Sequence, residues 1–460
     1  MEETVFMEET RVQENKMGIL PVNKLLVTMS LPMMISMLVQ ALYNIVDSIF
    51  VSRIEEKALT AVSLAFPIQT LMIAVGVGTA VGINALLSRF LGEKEFEKAD
   101  DVAKNGIFLA LLGYLLFLLI GLFGVKWFYG SQTDDAVINA YGMEYLTVIC
   151  VASLGVFMQS TFEKLLQSTG KTFYAMITQG TGAIINIILD PILIFGYFGM
   201  PKMGVTGAAV ATVIGQCVAA VLAIIMNIKV NTEIHINMKG FKPNGRVIKQ
   251  IYIIGVPSII MQAIGSVMVY GMNRILIAFT DTATAVFGAY FKLQSFVFMP
   301  VFGLNNGLVS ILAYNYGAGK KERVIRAFKL AVCYAVVIMA VGVVLMQCIP
   351  DRLLLFFDAS ETMLAIGVPA LRIISTCFVV AAFCIVAGSL FQALGYAWYS
   401  MMNSICRQLI VLLPVAYLLS FTGKLQNVWW AFPIAEVISA CVTVFFLIRI
   451  WRNVIAHIGE

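Results

Sequence analysis

The chain has 460 residues, of which 60% are hydrophobic and only 12% are charged. A soluble domain carries about 25% charged residues, so this composition excludes an ordinary soluble protein and predicts a polytopic membrane protein. The net charge of +5 does not indicate a nucleic-acid partner, because the basic residues lie in connections between apolar runs. Eight scattered cysteines without a CxxC pair, and only two histidines, predict neither a disulfide framework nor a metal cluster or cofactor site.

Twelve apolar runs are long enough to cross a bilayer as helices. They cover 25–52, 58–88, 105–125, 145–162, 172–198, 203–228, 250–278, 283–315, 325–349, 362–384, 397–420 and 428–449. The polar stretch 229–249 predicts a linker between two groups of six helices. We therefore predict an N-terminal tail at 1–24, one bundle at 25–228, the linker, a second bundle at 250–450 and a C-terminal tail at 451–460.

The two predicted bundles repeat each other in sequence at one constant offset, the one that separates position 32 from position 257. The matched pairs are Pro32 with Pro257, Gln69 with Gln294, Gly78 with Gly303, Gly82 with Gly307 and Gly92 with Gly317. An even number of spans gives both copies the same orientation, related by an axis along the membrane normal with a cavity between them. Such a repeat favours a transporter over a receptor or channel.

The distribution of basic residues predicts the orientation of the chain. Lys and Arg concentrate in the connections on the side of the two termini, and positively charged connections stay in the cytoplasm. Residues 1–24 contain no apolar core, so we expect no cleaved signal peptide. The sequence thus predicts a multi-pass protein of the plasma membrane with both termini cytoplasmic.

The first predicted helix contains one charged residue, Asp47. Asn44, Tyr43, Gln40 and Ser36 lie at helical offsets from it and share its face. A carboxylate that faces lipid is costly, so this face should line the protein interior or a wet cavity on an ion or substrate pathway. The alternative is that Asp47 only pairs with a basic residue for packing.

The fifth predicted helix contains a second carboxylate, Asp190, with Asn186 one turn earlier on the same face. Counted from the predicted cytoplasmic ends, Asp47 and Asp190 lie roughly 35 and 29 Å along their helices, so the two acids can meet. Two acids and an amide form an oxygen site for a small cation or a shared proton. The alternative for Asn186 and Asp190 is capping around a helix break at Pro191.

The second half of the chain contains polar residues of another kind. Gln262, Ser266 and Asn273 share a face of the seventh helix, and Gln294 follows in the eighth. The candidates for substrate binding are Ser36, Gln40, Tyr43, Asn44, Gln262, Ser266, Asn273 and Gln294. We interpret Glu436 as a structural charge that pairs with Arg407 or Lys292. The high methionine and phenylalanine content suits an adaptable cavity for small amphiphilic or cationic drug-like compounds.

Several stretches, in order, resemble the multidrug and toxic compound extrusion (MATE) family. They include LPMMISMLVQALYNIVDSIFVSRI, GINALLSRFLGEKEFEKA, NIILDPILIFG, MGVTGAAVAT, RQLIVLLPVAY and VWWAFPIAE. The resemblance covers essentially the whole chain. It implies an all-α integral membrane fold, with twelve transmembrane helices in two pseudo-symmetric six-helix bundles that form a V. It also implies a non-enzymatic secondary transporter, which exports drug-like, often cationic compounds by antiport against Na⁺ or H⁺ with alternating access between the bundles.

The resemblance also implies roles for particular residues. Family roles carried to matching positions make Asp47, Asn186 and Asp190 the cation-coupling group, and the ligands of Na⁺ if sodium is the coupling ion. Thr212 in GAAVAT is a further candidate, with Thr206 as an equal alternative. One branch of the family places coupling acids in the seventh and tenth helices, which contain Gln262, Asn273 and Arg372 here and no acid. The sequence therefore resembles the branch that couples through its N-terminal bundle.

Two other functions are alternatives to drug efflux. A flippase for lipid-linked oligosaccharide or another amphiphile needs several cations in its cavity, and Arg274, Lys292, Arg372 and Arg407 are candidates. A membrane-embedded enzyme needs a nucleophile–base pair or a motif such as HExxH within the spans, and the sequence contains neither. We predict a monomer in a lipid bilayer, and the natural substrate leaves no motif.

Overall fold

The fold consists of helices that span a membrane. The computed structural model describes residues 15–54, 56–357 and 359–459, so residues 1–14 of the predicted N-terminal tail lie outside the described residues. Ten helices within these ranges are long and apolar enough to span a membrane, and two bent helix pairs each provide one more span. The predicted all-α membrane fold with twelve spans is therefore confirmed.

The first six spans form the N-terminal bundle. They are α1 (Val22–Ser52), α2 (Glu56–Gly92), α3 (Phe96–Leu119, continued through a π-helical turn at Ile120–Gly124 to Val125–Gln132), α4 (Ala136–Val151 and Leu154–Ser168), α5 (Thr172–Phe195) and α6 (Gly204–Val230). The two parts of α4 meet at an angle of 43°. Pro191 lies within α5 and does not end it, because a proline removes only one backbone hydrogen bond and its neighbours continue the helix.

The last six spans form the C-terminal bundle. They are α7 (Gly245–Leu276), α8 (Asp281–Gly317), α9 (Lys321–Cys348), α10 (Glu361–Ser375 and Phe378–Ala393, bent by 50°), α11 (Ala397–Ile405, a π-helical segment Cys406–Leu412, and Leu413–Ser420) and α12 (Ala431–Asn453). Short helical turns at Lys16–Ile19, Tyr197–Gly199, Pro350–Leu355, Leu425–Val428 and Ile455–His457 connect or flank the spans.

Several helices extend beyond their predicted ends. The α4 helix runs six residues past the predicted end at 162 and contains Glu163 and Lys164, which are both buried. The predicted span ended too early because hydropathy treats the two charges as exposed, whereas they are hydrogen-bonded inside the protein and do not face lipid. The α10 pair similarly runs to Ala393, nine residues past its predicted end. The terminal helices α1 and α12 each include a few residues that were predicted as tail.

The two bundles pack against each other through α1 with α8 and through α2 with α7 and α8. The glycines matched by the sequence repeat lie at these contacts in symmetric pairs. A Cβ atom on Gly78 would lie 2.7 Å from the backbone nitrogen of Ile259, and one on Gly303 would lie 2.5 Å from that of Met34. Positions 34 and 259 are themselves related by the offset of the sequence repeat. The glycines therefore allow helices of the two bundles to approach closely, and the sequence repeat produces this contact twice.

Both ends of the described chain lie at the same face of the membrane domain, which we call the terminal face. Lys320 Nζ, in the turn between α8 and α9, donates to the carbonyl oxygen of Gly18 at 2.9 Å. Its neighbour Lys321 donates to the carbonyl oxygen of Ala456. The close contacts between α1 or α2 and the C-terminal bundle involve residues 29–34 and 78–92, which lie in the halves of these helices nearer the terminal face.

The N-terminal segment, defined as Asn15–Leu20, connects both bundles at the terminal face. On the N-terminal bundle, Asn15 Nδ2 donates to the carbonyl oxygen of Thr169 at 3.1 Å and also to Glu233. On the C-terminal bundle, the carbonyl oxygen of Met17 accepts from Asn315 Nδ2 at 3.0 Å and from Arg323 Nη2 at 2.9 Å. Arg323 Nη2 also donates to the carbonyl oxygen of Leu20 at 2.7 Å.

Charged groups around this segment are partly desolvated. Burial raises the pKa of Glu233 above its ordinary value, and the Asn15 hydrogen bond and nearby lysines only partly offset this effect. Burial lowers the pKa of Lys16, and the neighbouring Lys171 lowers it further. Burial also lowers the pKa of Lys171, which donates to the carbonyl oxygen of Val230. The terminal face thus holds a compact group of three charges that is sensitive to pH.

Candidate cation and substrate sites

The predicted cation-coupling residues lie together where α1, α5 and α6 meet. Asp47 in α1 and Asp190 in α5 are within hydrogen-bond reach of each other. The α5 and α6 helices approach closely beside them, because a Cβ atom on Gly215 would lie 2.7 Å from the carbonyl oxygen of Gly182. This approach brings Thr212 to the group. The two glycines thus position side chains from α5 and α6 that are far apart in sequence.

The amide of Asn186 joins Asp190 to α6. Its nitrogen is oriented towards Asp190 Oδ2, at 3.1 Å, because its oxygen then accepts from the Thr212 hydroxyl at 3.2 Å and the Thr212 backbone N–H at 2.9 Å. Thr206, the alternative partner, donates to Glu144 Oε2 at 2.9 Å on an exposed surface. Of the two threonines, the structure therefore brings Thr212 to the acids.

The two carboxylates are short of hydrogen-bond donors. Asp190 is 0% exposed, and Oδ1 of both Asp47 and Asp190 is buried with no hydrogen-bond partner in the part of the chain that the structure describes. Two adjacent carboxylates without water repel each other, and a buried charge without a partner is costly. A bound cation or a shared proton would relieve both costs. The donor set of carboxylate, amide and hydroxyl oxygens fits a small hard cation such as Na⁺.

Two tyrosines flank the acids. The Tyr43 hydroxyl hydrogen-bonds to Thr212 and lies near both Asp47 and Asp190, so the structure groups this predicted substrate residue with the two acids. Tyr145 in α4 lies beside Asp47, and its hydroxyl accepts from Gln69 Nε2 at 3.0 Å. Tyr145 was not predicted, since a single tyrosine in an apolar run gives no signal of its own.

The remaining predicted substrate residues of α1 divide between two environments. The Ser36 hydroxyl donates to Gln179 of α5, and Gln179 Nε2 donates to Gln40 Oε1 at 3.3 Å. Asn44 is exposed, and its carbonyl oxygen accepts from the Ser48 hydroxyl. Ser36 and Gln40 thus connect α1 to α5 between the acids and the terminal face.

A second buried polar group, centred on Glu163 and Lys164 of α4, was not predicted from the sequence. Glu163 Oε1 accepts from Gln159 Nε2 at 3.0 Å and from Thr178 at 3.2 Å. Lys164 Nζ donates to Gln167 Oε1 and, across the bundle interface, to Asn306 Oδ1, both at 2.8 Å. An adjacent acid and base near the end of a span resemble an ordinary charged loop in sequence.

A cavity of about 620 Å³ lies mainly within the C-terminal bundle, and Lys164 and Asn84 of the N-terminal bundle contribute to its wall. Predicted residues Gln262 and Gln294 line it, whereas Ser266 and Asn273 are not among its lining residues. Its apolar walls include Met261, Met268, Met299, Tyr290, Phe298 and Phe432. This volume and composition suit a drug-sized amphiphile.

The predicted pair of Glu436 and Arg407 lies in the wall of this cavity. Arg407 Nη1 and Glu436 Oε2 are 3.4 Å apart, with 26% of the arginine side chain exposed and 8% of the glutamate side chain. Lys292, the other predicted partner of Glu436, lies over the ring of Phe357 at 5.9 Å. Arg407 is therefore the partner that the structure brings to Glu436.

The chain matches one family model in both of its halves. The MatE model matches residues 32–192 and again 257–418, which together cover most of the chain. The two matches start at positions 32 and 257, the same pair of positions that the sequence repeat relates to each other.

Similar proteins with curated names are multidrug exporters. The chain is 27% identical to "Multidrug export protein MepA" of Staphylococcus aureus (strain bovine RF122 / ET3-1) over 446 residues, 93% of this chain and 94% of the relative. It is also 27% identical to the protein of the same name from Staphylococcus haemolyticus (strain JCSC1435), with 92% and 93% of the two chains covered.

Solved structures share the fold. A structure described as "Outward-facing conformation of a multidrug resistance MATE family transporter of the MOP superfamily" is 26% identical, with a TM-score of 0.89 over 95% of this chain and 98% of the other. A MOP superfamily transporter from Pyrococcus furiosus, described by a "reverse polarity of binding pocket", is 25% identical, with a TM-score of 0.89 over 98% and 99%. With the family model matching both halves, the chain belongs to the MatE family, the multidrug and toxic compound extrusion transporters.

Proposed function

We propose that this protein is a secondary active multidrug efflux transporter, which exports drug-like compounds by antiport against Na⁺ or H⁺. The observation that carries the proposed coupling is the adjacent pair of acids, the half-buried Asp47 and the buried Asp190, each with one buried oxygen that has no donor among the described residues. The names of the relatives at 27% identity, both multidrug exporters, support the substrate class.

The proposed cycle depends on where the two bundles touch. They are in close contact in the halves of α1, α2, α7 and α8 nearer the terminal face, and a solved relative of the same fold is described as outward-facing. We therefore assign the terminal face to the cytoplasm and this arrangement to the state closed on that side. A cation or proton that enters between Asp47 and Asp190 removes their repulsion and favours one bundle arrangement over the other.

The test is transport by the purified protein in liposomes. Dye efflux measured under separate Na⁺ and pH gradients identifies the coupling ion, and Asp47→Asn and Asp190→Asn should each abolish gradient-driven efflux while the protein still inserts. Glu436→Gln is the control, because it also removes a buried carboxylate but in the other bundle. Gradient-driven efflux at the wild-type rate in both aspartate variants would contradict the proposed coupling site.

The cytoplasmic position of the terminal face has its own test. Single cysteines introduced at Lys239 and Lys242, both exposed between α6 and α7, should react with a membrane-impermeant maleimide only when it reaches the cytoplasmic side. Labelling by an external reagent in intact cells would show that the orientation is the opposite of the one proposed. The background should be a variant from which the exposed cysteines, such as Cys333 and Cys348, have been removed.

A second candidate function is a flippase for a lipid-linked oligosaccharide or another anionic amphiphile. Lys164 and Arg407 in the cavity wall favour it, because cations are needed to hold a phosphate or pyrophosphate. The buried acids of the N-terminal bundle favour the antiporter instead, since an ion site of this kind serves coupling and not headgroup binding. Translocation of a fluorescent lipid pyrophosphate with no response to an ion gradient would favour the flippase.

A further inference from the structure

The cavity in the C-terminal bundle is lined by more cationic than anionic side chains. Among the described residues that line it, the charged ones are Lys164, Arg407 and Glu436, two basic and one acidic. Glu163 is adjacent to Lys164 and offsets part of its charge, but it is not among the lining residues, so the side chains that a ligand meets directly are two cations and one anion. Direct contact with more cations than anions disfavours a permanently cationic compound and favours a compound with a negatively charged group.

The exposed member of the ion pair is the cation. The Glu436 side chain is only 8% exposed and its Oε1 atom is sealed from solvent, whereas the Arg407 side chain is 26% exposed. A guanidinium has five N–H donors, and the hydrogen bond found for Arg407 is the long one, 3.4 Å, from Nη1 to Glu436. Most of the donors of Arg407 therefore have no partner among the described residues and are open to a ligand at the cavity wall, whereas the Glu436 carboxylate is largely buried.

The backbone that carries Arg407 is also unusual. Cys406–Leu412 form a π-helical segment inside α11, directly before Leu413 and Pro414. Pro414 has no N–H to continue the α-helical hydrogen-bond pattern, and π segments are frequent where a helix turns a side chain into a functional site. Gln408, the next residue of the same segment, also lines the cavity and can add a neutral donor.

The apolar part of the cavity fits a flat ring system. Phe298 packs edge-on against Phe378 with ring centres 5.0 Å apart, and Tyr290 and Phe432 form a second edge-on pair at 6.0 Å. Methionines between the aromatic walls can adapt to rings of different outline. Arg407 therefore faces a space in which an aromatic body and a planar anionic group can bind together.

We propose that this cavity binds aromatic amphiphiles that carry a carboxylate, as anions or zwitterions, with the carboxylate on the guanidinium of Arg407. This inference rests on the proposed efflux function and narrows its substrate class away from permanent cations. Glu436 acts as a positioning residue, which holds Arg407 at the wall without touching the ligand. A planar carboxylate matches the forked donors of an arginine better than those of a lysine.

The test uses three probes that share one fluorescent ring system: dansylglycine, its methyl ester, and a dansyl derivative that ends in trimethylammonium. Each is titrated into the full-length protein in nanodiscs of phosphatidylcholine, with no ion gradient. The wild-type protein should bind dansylglycine at least about tenfold more tightly than the ester, since a hydrogen bond to a charged group is worth that factor or more. The cationic probe should bind most weakly.

The variants separate ligand binding by Arg407 from the positioning role of Glu436. Arg407→Gln combined with Glu436→Gln avoids a buried unpaired acid, and it should reduce dansylglycine affinity about tenfold or more while leaving ester affinity unchanged. Glu436→Gln alone should retain the preference for dansylglycine, and Arg407→Lys should weaken it. Lys292→Gln is the matched control, since Lys292 is not among the residues that line the cavity. Equal binding of the three probes, preference for the cation, no binding of any probe, or no effect of the double variant would each overturn the proposal.

An anionic lipid headgroup could occupy the same guanidinium. Replacing part of the nanodisc lipid with phosphatidylglycerol distinguishes the two sources. Abolition of Arg407-dependent dansylglycine binding by phosphatidylglycerol, with lipid retained by wild type and not by the double variant in native mass spectrometry, would assign the site to lipid and overturn the proposal. Dansylglycine binding is measured without an ion gradient and ion coupling is measured as gradient-driven efflux, so failure of charge selectivity and failure of ion coupling give different results.

Discussion

Gly317 packs so closely against Arg89 that a Cβ atom on the glycine would overlap the carbonyl oxygen of Arg89. Gly92 stands in the same relation to Tyr314, and positions 89 and 314 are again related by the offset of the sequence repeat. These two contacts hold the bundles together at the terminal face. Because each contact is between backbones, neither bundle can give way by changing a side-chain rotamer.

Gly317→Ala should therefore weaken closure of the terminal face. The added methyl group forces α2 and α8 apart, at a cost of about 1–3 kcal/mol for an overpacked contact. The measurement is the distance between spin labels placed on α2 and α8 near this face, which should increase in the variant. Gly288→Ala in the same helix is the control, since a Cβ atom there would meet nothing within 4 Å. An unchanged distance distribution in Gly317→Ala would show that the contact does not limit closure.

Thr212→Val should impair ion coupling, whereas Thr206→Val should not. Thr212 supplies the hydroxyl and backbone N–H that orient the Asn186 amide towards Asp190, and valine removes the hydroxyl without changing the shape. We expect the affinity for the coupling ion to fall about tenfold, the effect of one lost hydrogen bond in a charged site. The readout is the ion concentration that gives half-maximal efflux. Equal effects of the two valine variants would mean that the hydroxyl of Thr212 has no special role.

Arg323→Gln should loosen the N-terminal segment from the C-terminal bundle. The variant loses charge-assisted bonds to the carbonyl oxygens of Met17 and Leu20, each worth about 1.5–3 kcal/mol where buried. Hydrogen exchange of the backbone amides of residues 17–20 should become faster. Arg326→Gln, an exposed arginine about one turn further along α9, should leave exchange unchanged. Protection as strong as in wild type would show that Asn315 and Lys320 hold the segment without Arg323.

Glu233 should make thermal stability depend on pH. Burial raises its pKa in the folded protein, so the folded state binds this proton more tightly than the unfolded state. Between the ordinary pKa of a glutamate, about 4.3, and the raised value, this group makes stability fall as pH increases. Glu233→Gln should have a higher melting temperature than wild type at neutral pH, and the difference should shrink on acidification as the wild-type acid becomes protonated. A difference that grows at acidic pH would contradict the sign of the shift.

The class of fold and the two acids within the membrane could be predicted from sequence because each leaves a local pattern. Long apolar runs predicted the spans, and Asp47 and Asp190 are visible as acids where acids are expensive. The ends of α4 and α10 could not be predicted, because Glu163 and Lys164 are neutralised by partners from other helices, Thr178 and Asn306. The docking of the N-terminal segment was missed for the same reason. It depends on Arg323, more than 300 positions later in the chain.

The exposure of Arg407 relative to Glu436 could not be predicted either. Their pairing follows from the cost of a lone charge in a membrane, but which member faces the cavity depends on the π-helical segment at Cys406–Leu412. A π segment has no reliable signature in sequence. The substrate class proposed above therefore required the structure, whereas the proposed coupling group was visible in the sequence.

Pro32 gives α1 the geometry of a lever. It lies between Ser30 and Met34, which contact Gly307 and Gly303 of the other bundle. Asp47 is fifteen residues further along, about 22 Å from this fulcrum, so each degree of bending at the proline moves the carboxylate by about 0.4 Å. A movement of about 1 Å at Asp47 thus corresponds to only about two or three degrees of bending at Pro32, where the bundles meet. If Asp47 binds the coupling ion as proposed, a small rotation at Pro32 is enough to connect occupancy of that site to the contact between the bundles.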